Sequence, residues 1–180
     1  TLRDTVTACG LGDHCYMPQA GYPQVCVAVA DFLAAEQGVT PEAADIIMTC
    51  GAAGALNVIF KALLDPGDEV IVPTPCFVEY RFYVDNHGGT IRMVPTQPDF
   101  TLDTAAIAEA ITPKTKVILI NSPNNPTGQI YSAESLDRLG ALLREKSREL
   151  DRTLYLISDE PYRKVVYDGK ELKLETSAIH

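Results

Sequence analysis

Residues 116–128 read Lys116-Val117-Ile118-Leu119-Ile120-Asn121-Ser122-Pro123-Asn124-Asn125-Pro126-Thr127-Gly128. The apolar half predicts a buried strand, because a half-solvated strand would alternate apolar and polar residues. The second half is turn chemistry: prolines and a glycine that set backbone angles, and amides that hydrogen-bond locally. Ser132 then opens a helix. A buried strand running through a polar turn into a helix is the repeating unit of an open α/β sheet. Such sheets place their ligands at the carboxyl ends of the strands. A second stretch of this kind follows, Tyr155-Leu156-Ile157-Ser158 and then Asp159-Glu160-Pro161-Tyr162.

The same alternation extends through most of the chain. Pro23–Gln37 has Pro in its first turn, apolar residues at helical spacing and Gly38 as terminator, which predicts a helix. Helices are likewise expected over Ala52–Leu64, Phe77–Asn86, Leu102–Ile111 and Ser132–Leu150, the last capped by Ser132. Strands are expected at Asp45–Thr49, Glu69–Pro73, Thr90–Val94, Lys116–Ile120 and Thr153–Ser158. Residues 1–22 read as a loop-rich segment and 23–180 as one domain. The class is α/β, three layers α/β/α around a mostly parallel sheet.

Composition narrows the function classes. The chain has 180 residues, 46% of them hydrophobic, which is enough for one core. A net charge of −9 with no basic run argues against a nucleic-acid partner. No apolar run approaches the ~20 residues of a membrane span. The five cysteines (Cys9, Cys15, Cys26, Cys50, Cys76) are odd in number and irregular in spacing. They read as reduced thiols of a cytoplasmic protein, with no metal site.

Four places carry residues suited to chemistry. Thr49-Cys50-Gly51-Ala52-Ala53-Gly54 runs from a strand into a helix through small residues. Its first-turn N–H groups suit an anion, although small residues there serve close packing equally well. Phe77, after Pro73-Thr74-Pro75-Cys76, is either core or a ring that stacks on a flat ligand. Asn125 is either a turn residue or a donor to a phenolate oxygen. Asp159, ending a buried strand, needs a helix N-terminus or a cation as partner, and a protonated pyridine nitrogen is one such cation. Tyr162, three residues later, can hydrogen-bond a neighbouring phenolic oxygen.

These four places occur in order, each after its own strand. The strings Asn125-Pro126-Thr127-Gly128 and Asp159-Glu160-Pro161-Tyr162 resemble the N-P-T-G and D-x-x-Y signatures of class I/II, fold-type I aminotransferases, which depend on pyridoxal phosphate (PLP). The resemblance covers roughly residues 16 to 168 and points to that family's large domain. It implies that Gly51, Ala52 and Ala53 border the cofactor phosphate and that Phe77 stacks on the pyridine ring. It implies that Asn125 and Tyr162 contact the 3-oxygen and Asp159 the ring nitrogen. Tyr16-Met17-Pro18-Gln19-Ala20-Gly21-Tyr22-Pro23 resembles the Y-x-x-x-x-G-x-P segment, so Tyr16 is expected to reach the phosphate of a neighbouring subunit in a homodimer. The reaction implied is passage of an amino group from an amino acid to a 2-oxo acid.

Three departures accompany the resemblance. Ala53 stands where many relatives have a phosphate-binding hydroxyl. The family's substrate-carboxylate arginine and small domain are absent from these 180 residues. The Schiff-base lysine, expected in an S-x-S-K motif beyond Asp159, is also absent, and none of Lys61, Lys114, Lys116, Lys146, Lys164, Lys170 and Lys173 has that context. No residue here is therefore assigned as the catalytic base, and the chain alone is expected not to transaminate. The family's strand order implies that Asp45–Thr49 has lost its sheet neighbours and that Thr153–Ser158 has an open edge, so the two are expected to pair with each other or with another chain. Other readings remain: a non-catalytic PLP-binding or dimerisation domain, a PLP-dependent lyase or decarboxylase, and a nucleotide-binding α/β protein. The last lacks its phosphate-loop motifs.

Overall fold

The computed structural model describes residues 1–10 and 15–165. Two compact units divide at Thr49/Cys50. The first holds helix α1 (Leu2–Ala8), helix α2 (Pro23–Gln37) and a single 3-10 turn at Ala43–Asp45. The second holds α3 (Gly51–Leu63), β1 (Glu69–Thr74), α4 (Tyr80–Asp85), β2 (Thr90–Pro95), α5 (Thr104–Ala110), β3 (Thr115–Asn121), α6 (Ala133–Glu149) and β4 (Tyr155–Asp159).

In the first unit the N-terminus departs from the loop-rich expectation. A capping box starts α1: the Thr1 hydroxyl accepts from the Asp4 N–H, while the Asp4 carboxylate accepts from the Thr1 amine. Thr-x-x-Asp carries that signal, but a seven-residue helix is too short to show apolar periodicity. Helix α2 matches its expected span and ends at Gly38, whose φ of 66° is the left-handed conformation glycine adopts without a Cβ penalty.

The strand expected at Asp45–Thr49 does not form. Ile46 is extended, with φ −101° and ψ 127°, and the Met48 N–H bonds to the Ala20 carbonyl instead of to a ladder. Extended backbone becomes a strand only when a neighbour pairs with it, and none does among the described residues. The sheet therefore has four strands and not five.

In the second unit the order is β2-β1-β3-β4 and every pairing is parallel. The two central strands are buried on both faces, and their side chains alternate between two cores. Val70, Val72, Val117 and Leu119 face a cluster with Leu56 and Phe60 of α3 and Tyr83 and Val84 of α4. Ile71, Ile118 and Ile120 face the opposite cluster with Ile107 of α5 and Leu139 and Leu143 of α6. This gives the three layers: α3 and α4, the sheet, then α5 and α6. The chain moves from β1 out to β2, then returns to the other side of β1 for β3 and β4. The strand order thus reverses between β1 and β3, the place where open α/β sheets form a ligand crevice.

Helix α4 begins at Tyr80, three residues later than expected. Phe77 lies in the turn before it and its carbonyl accepts from the Tyr80 N–H at 3.3 Å. Helix α6 keeps the expected cap, with the Ser132 hydroxyl accepting from the Ser135 N–H at 3.2 Å. Among the described residues no helix is long and apolar enough to cross a membrane.

Candidate active site

Six of the eight residues singled out in the sequence line one open cavity of about 260 Å³ at the carboxyl ends of β1, β3 and β4. They are Ala52, Ala53, Phe77, Asn125, Asp159 and Tyr162, joined by Glu79, Tyr80, Tyr83 and Asn121 among others. Gly51 starts α3 beside Ala52 but is not in the wall, and Tyr16 belongs to the first compact unit, where its ring is exposed.

Each wall residue is placed by local chemistry. Gly51 has φ +71°, so the chain turns sharply from Cys50 into α3. That turn puts Ala52 and Ala53 in the first helical turn, whose N–H groups have no carbonyl partner within the helix. Phe77 is half-buried and does two jobs: it packs on the core beside α3 and α4 and also forms cavity wall. Its ring meets the Tyr80 ring edge to face, with centroids 5.6 Å apart.

The loop after β3 is held by its own amides. Asn121 is buried; its Nδ2 donates to the Asp159 carbonyl at 2.7 Å and its Oδ1 accepts from the Asn125 N–H at 2.6 Å. It therefore ties the ends of β3 and β4 together and fixes where Asn125 begins. Asn124 is also buried, and its Oδ1 accepts from the N–H and the hydroxyl of Thr127 at 3.2 and 2.9 Å. The Ser122 hydroxyl accepts from the Tyr131 N–H at 3.1 Å. The peptide bonds before Pro75, Pro123 and Pro126 are cis. With its neighbours carrying the framework, Asn125 presents its amide to the cavity and donates to the Tyr162 hydroxyl at 3.1 Å.

Asp159 ends β4 half-buried, and no helix starts there for it to cap. Its Oδ2 accepts from the Tyr80 hydroxyl at 2.5 Å. Burial and this carboxylate push the Tyr80 phenol far above its ordinary range, so it stays a donor at any physiological pH. Close by, Tyr83 donates to Glu79, and that contact together with burial raises the Tyr83 phenol to about 12. Cys76, beside Phe77, is also raised by burial, so it is a thiol and not a nucleophilic thiolate. Tyr80, Tyr83, Glu79 and Asn121 were not among the expected site residues. Asn121 stood in the strand-end motif, but no spacing in the sequence signals a pair as remote as Tyr80 and Asp159.

The wall thus offers an aromatic face, a carboxylate held by one phenol, neutral donors from Asn125 and Tyr162, and first-turn helix amides. This donor set suits a flat, cationic heteroaromatic ring with an anionic tail. Among the described residues no group of His, Cys, Asp and Glu could hold a metal ion.

Known proteins resemble this chain over nearly its whole length. The family model for aminotransferase class I and II matches residues 10–178. A probable aspartate/prephenate aminotransferase of Thermus aquaticus is 42% identical over 91% of this chain and 42% of its own length. An aspartate aminotransferase of Geobacillus stearothermophilus is 39% identical over 99% of this chain and 47% of its own. A crystal structure of an amino transferase from Eubacterium rectale superposes with a TM-score of 0.88 at 38% identity, covering 97% of this chain and 45% of that one. The chain spans less than half the length of these relatives. It belongs to the class I and II aminotransferase family and has the fold-type I architecture of that family's sheet.

Proposed function

We propose that the cavity is the pyridoxal phosphate site of an aminotransferase that moves an amino group from an amino acid to a 2-oxo acid. The observation that carries this reading is the convergence of Ala52, Ala53, Phe77, Asn125, Asp159 and Tyr162 on one cavity from three strand ends and the first turn of α3. In this reading the amides of Ala52 and Ala53, next to Gly51, hold the phosphate at the α3 N-terminus. Phe77 covers one face of the ring. Asn125 and Tyr162 donate to the phenolic oxygen, a reading supported by their mutual contact at 3.1 Å, which sets the two groups side by side. Asp159 keeps the ring nitrogen protonated, which a carboxylate beside a cation favours. When bound, the cofactor supplies the electron sink for the substrate carbanion.

These residues hold the ring and leave the donor amino acid unspecified. None of them is a lysine, and Lys164, in the segment after Tyr162, is exposed. The chain by itself is proposed to bind the cofactor without turning over. A homodimer is proposed on the Tyr16 to Pro23 segment, with Tyr16 serving the neighbouring subunit's phosphate. A cytoplasmic setting fits Cys9, Cys26, Cys50 and Cys76, which form no disulfide.

The test is titration of the chain with pyridoxal phosphate, followed by the visible absorption of the cofactor and by tyrosine fluorescence. Saturable binding is expected, with Asp159→Asn and Asn125→Ala each weakening it roughly tenfold, about the value of one charge-assisted hydrogen bond. Absence of saturable binding, or variants indistinguishable from wild type, would sink the reading. Sedimentation of the loaded chain tests the dimer.

A further inference from the structure

Asp159 is a half-buried carboxylate without a cation. Among the described residues no arginine, lysine or histidine shares its cavity wall. A charge left unpaired in such a place is costly, and a bound cation removes the cost.

What holds Asp159 is neutral. Its Oδ2 accepts from the Tyr80 hydroxyl at 2.5 Å, and its backbone carbonyl accepts from Asn121 Nδ2 at 2.7 Å. The side chain is thereby fixed at its root and at one oxygen. Oδ1 is the acceptor that remains, with no donor among the described residues.

Tyr80 is itself held firmly. It is almost fully buried, its ring is edge-on to those of Phe77 and Tyr83, with centroids 5.6 and 6.5 Å away, and its N–H donates to the Phe77 carbonyl at 3.3 Å. Burial and the neighbouring carboxylate keep the phenol protonated, so it always donates. A lysine or arginine in its place would hold the carboxylate and also cancel its charge. A phenol holds the carboxylate and leaves the charge in place.

We propose that Tyr80 is a positioning residue for the cofactor: it fixes Asp159 through Oδ2 without neutralising it, and so reserves Oδ1 and the negative charge for the protonated ring nitrogen. The inference rests on the cofactor reading above and adds to it a residue that acts through Asp159.

The experiment is calorimetric titration of the chain with pyridoxal phosphate and with 1-deazapyridoxal phosphate, in which a C–H replaces the ring nitrogen. The two ligands share ring shape, phenolic oxygen and phosphate, and only the first carries the ring cation. The wild-type chain is expected to bind pyridoxal phosphate about tenfold more tightly than the analogue, the scale of one charge-assisted hydrogen bond. Tyr80→Phe is expected to weaken pyridoxal phosphate about three- to tenfold and the analogue by less than about twofold. In an Asp159→Asn background, Tyr80→Phe is expected to have no further effect on the ratio of the two affinities. Partial unfolding of a variant lowers both affinities alike, so the ratio reports positioning and not stability. The wild-type chain gives a second readout: the proton NMR signal of the Tyr80 hydroxyl is expected to move on addition of pyridoxal phosphate and to move less with the analogue. An affinity ratio unchanged by Tyr80→Phe, or a hydroxyl signal that responds alike to both ligands, overturns this inference and leaves the cofactor reading standing. Equal binding of the two ligands by wild type overturns the inference together with the role of Asp159. Failure of pyridoxal phosphate to bind at all overturns the cofactor reading as well.

Discussion

The hydroxyl of Tyr80 donates to Asp159 Oδ2 at 2.5 Å across 79 positions of sequence. Tyr80 is almost fully buried at the start of α4, and Asp159 closes β4. One phenol therefore locks a helix start to a strand end and leaves one carboxylate oxygen for the cavity. Tyr80→Phe keeps the packing and removes the donor. It is expected to cost about 1.5–3 kcal/mol in urea unfolding, the range for a hydrogen bond to a charged group. A loss below about 0.5 kcal/mol would show that water replaces the phenol without penalty.

Asn124 and Asn125 are neighbours with opposite duties. Asn124 is buried and accepts twice from the half-buried Thr127, so Asn124→Ala leaves two donors of the turn without their partner. It is expected to destabilise by about 1–3 kcal/mol. Among the described residues the Asn125 side chain makes one hydrogen bond, to the Tyr162 hydroxyl. Asn125→Ala is expected to change stability by no more than about 0.5 kcal/mol while weakening cofactor binding. Paired denaturation and titration curves on the two variants separate framework from ligand contact; similar effects on both measurements would refute the division.

Far from the cavity, Arg152 pairs with Asp68 and also donates to the Pro113 carbonyl at 2.8 Å. Burial by itself would raise Asp68, but the Arg152 contact and the Asp65 N–H outweigh it and hold the carboxyl below its usual range. A depressed carboxylate contributes stability above its unfolded value of ~3.9, and that contribution is lost as pH falls through the lower folded value. Asp68→Asn is therefore expected to cost about 1–2 kcal/mol at neutral pH, between the exposed and buried limits for an ion pair. The gap between variant and wild type should close as the pH drops below that unfolded value. A gap that stays constant through the acid range would contradict the assignment.

Gly51→Ala tests the turn into α3. A Cβ at this position would meet nothing within 4 Å, so space is not the obstacle. The obstacle is φ +71°, which costs an L-residue about 1–2 kcal/mol. The variant is expected to lose that much stability, and to lose cofactor phosphate affinity as the first-turn amides of Ala52 and Ala53 shift. Unchanged stability in thermal unfolding would mean the backbone relaxes without cost.

Much of this architecture was legible in the residues. Val70 to Val72 and Val117 to Ile120 could only be strands covered on both faces, because no polar residue interrupts them to face water. Pro23 and Gly38 marked both ends of α2. The strand-end strings after β3 and β4 named Asn125, Asp159 and Tyr162, since turn residues there must present whatever follows. The failures have equally local causes. The apolar run at Asp45–Thr49 carries strand propensity but finds no ladder among the described residues, and propensity without a partner is not a strand. Helix α1 was missed because it rests on a cap and not on an apolar face.

Local sequence, then, settled the helices and strands of the second unit and the turns that end them, because dihedral preferences and burial periodicity act within a few residues. Pairing of remote residues was decided by the parallel sheet. Its reversal between β1 and β3 brings the turn after β1 and the ends of β3 and β4 to one crevice. Only there do Tyr80 and Asp159 meet and Asn121 tie two strands together, and only there does the Tyr83-held Glu79 join the same wall. Such contacts depend on which strands lie side by side, and that follows from burying both faces of one sheet at once, a condition no short stretch of sequence can express.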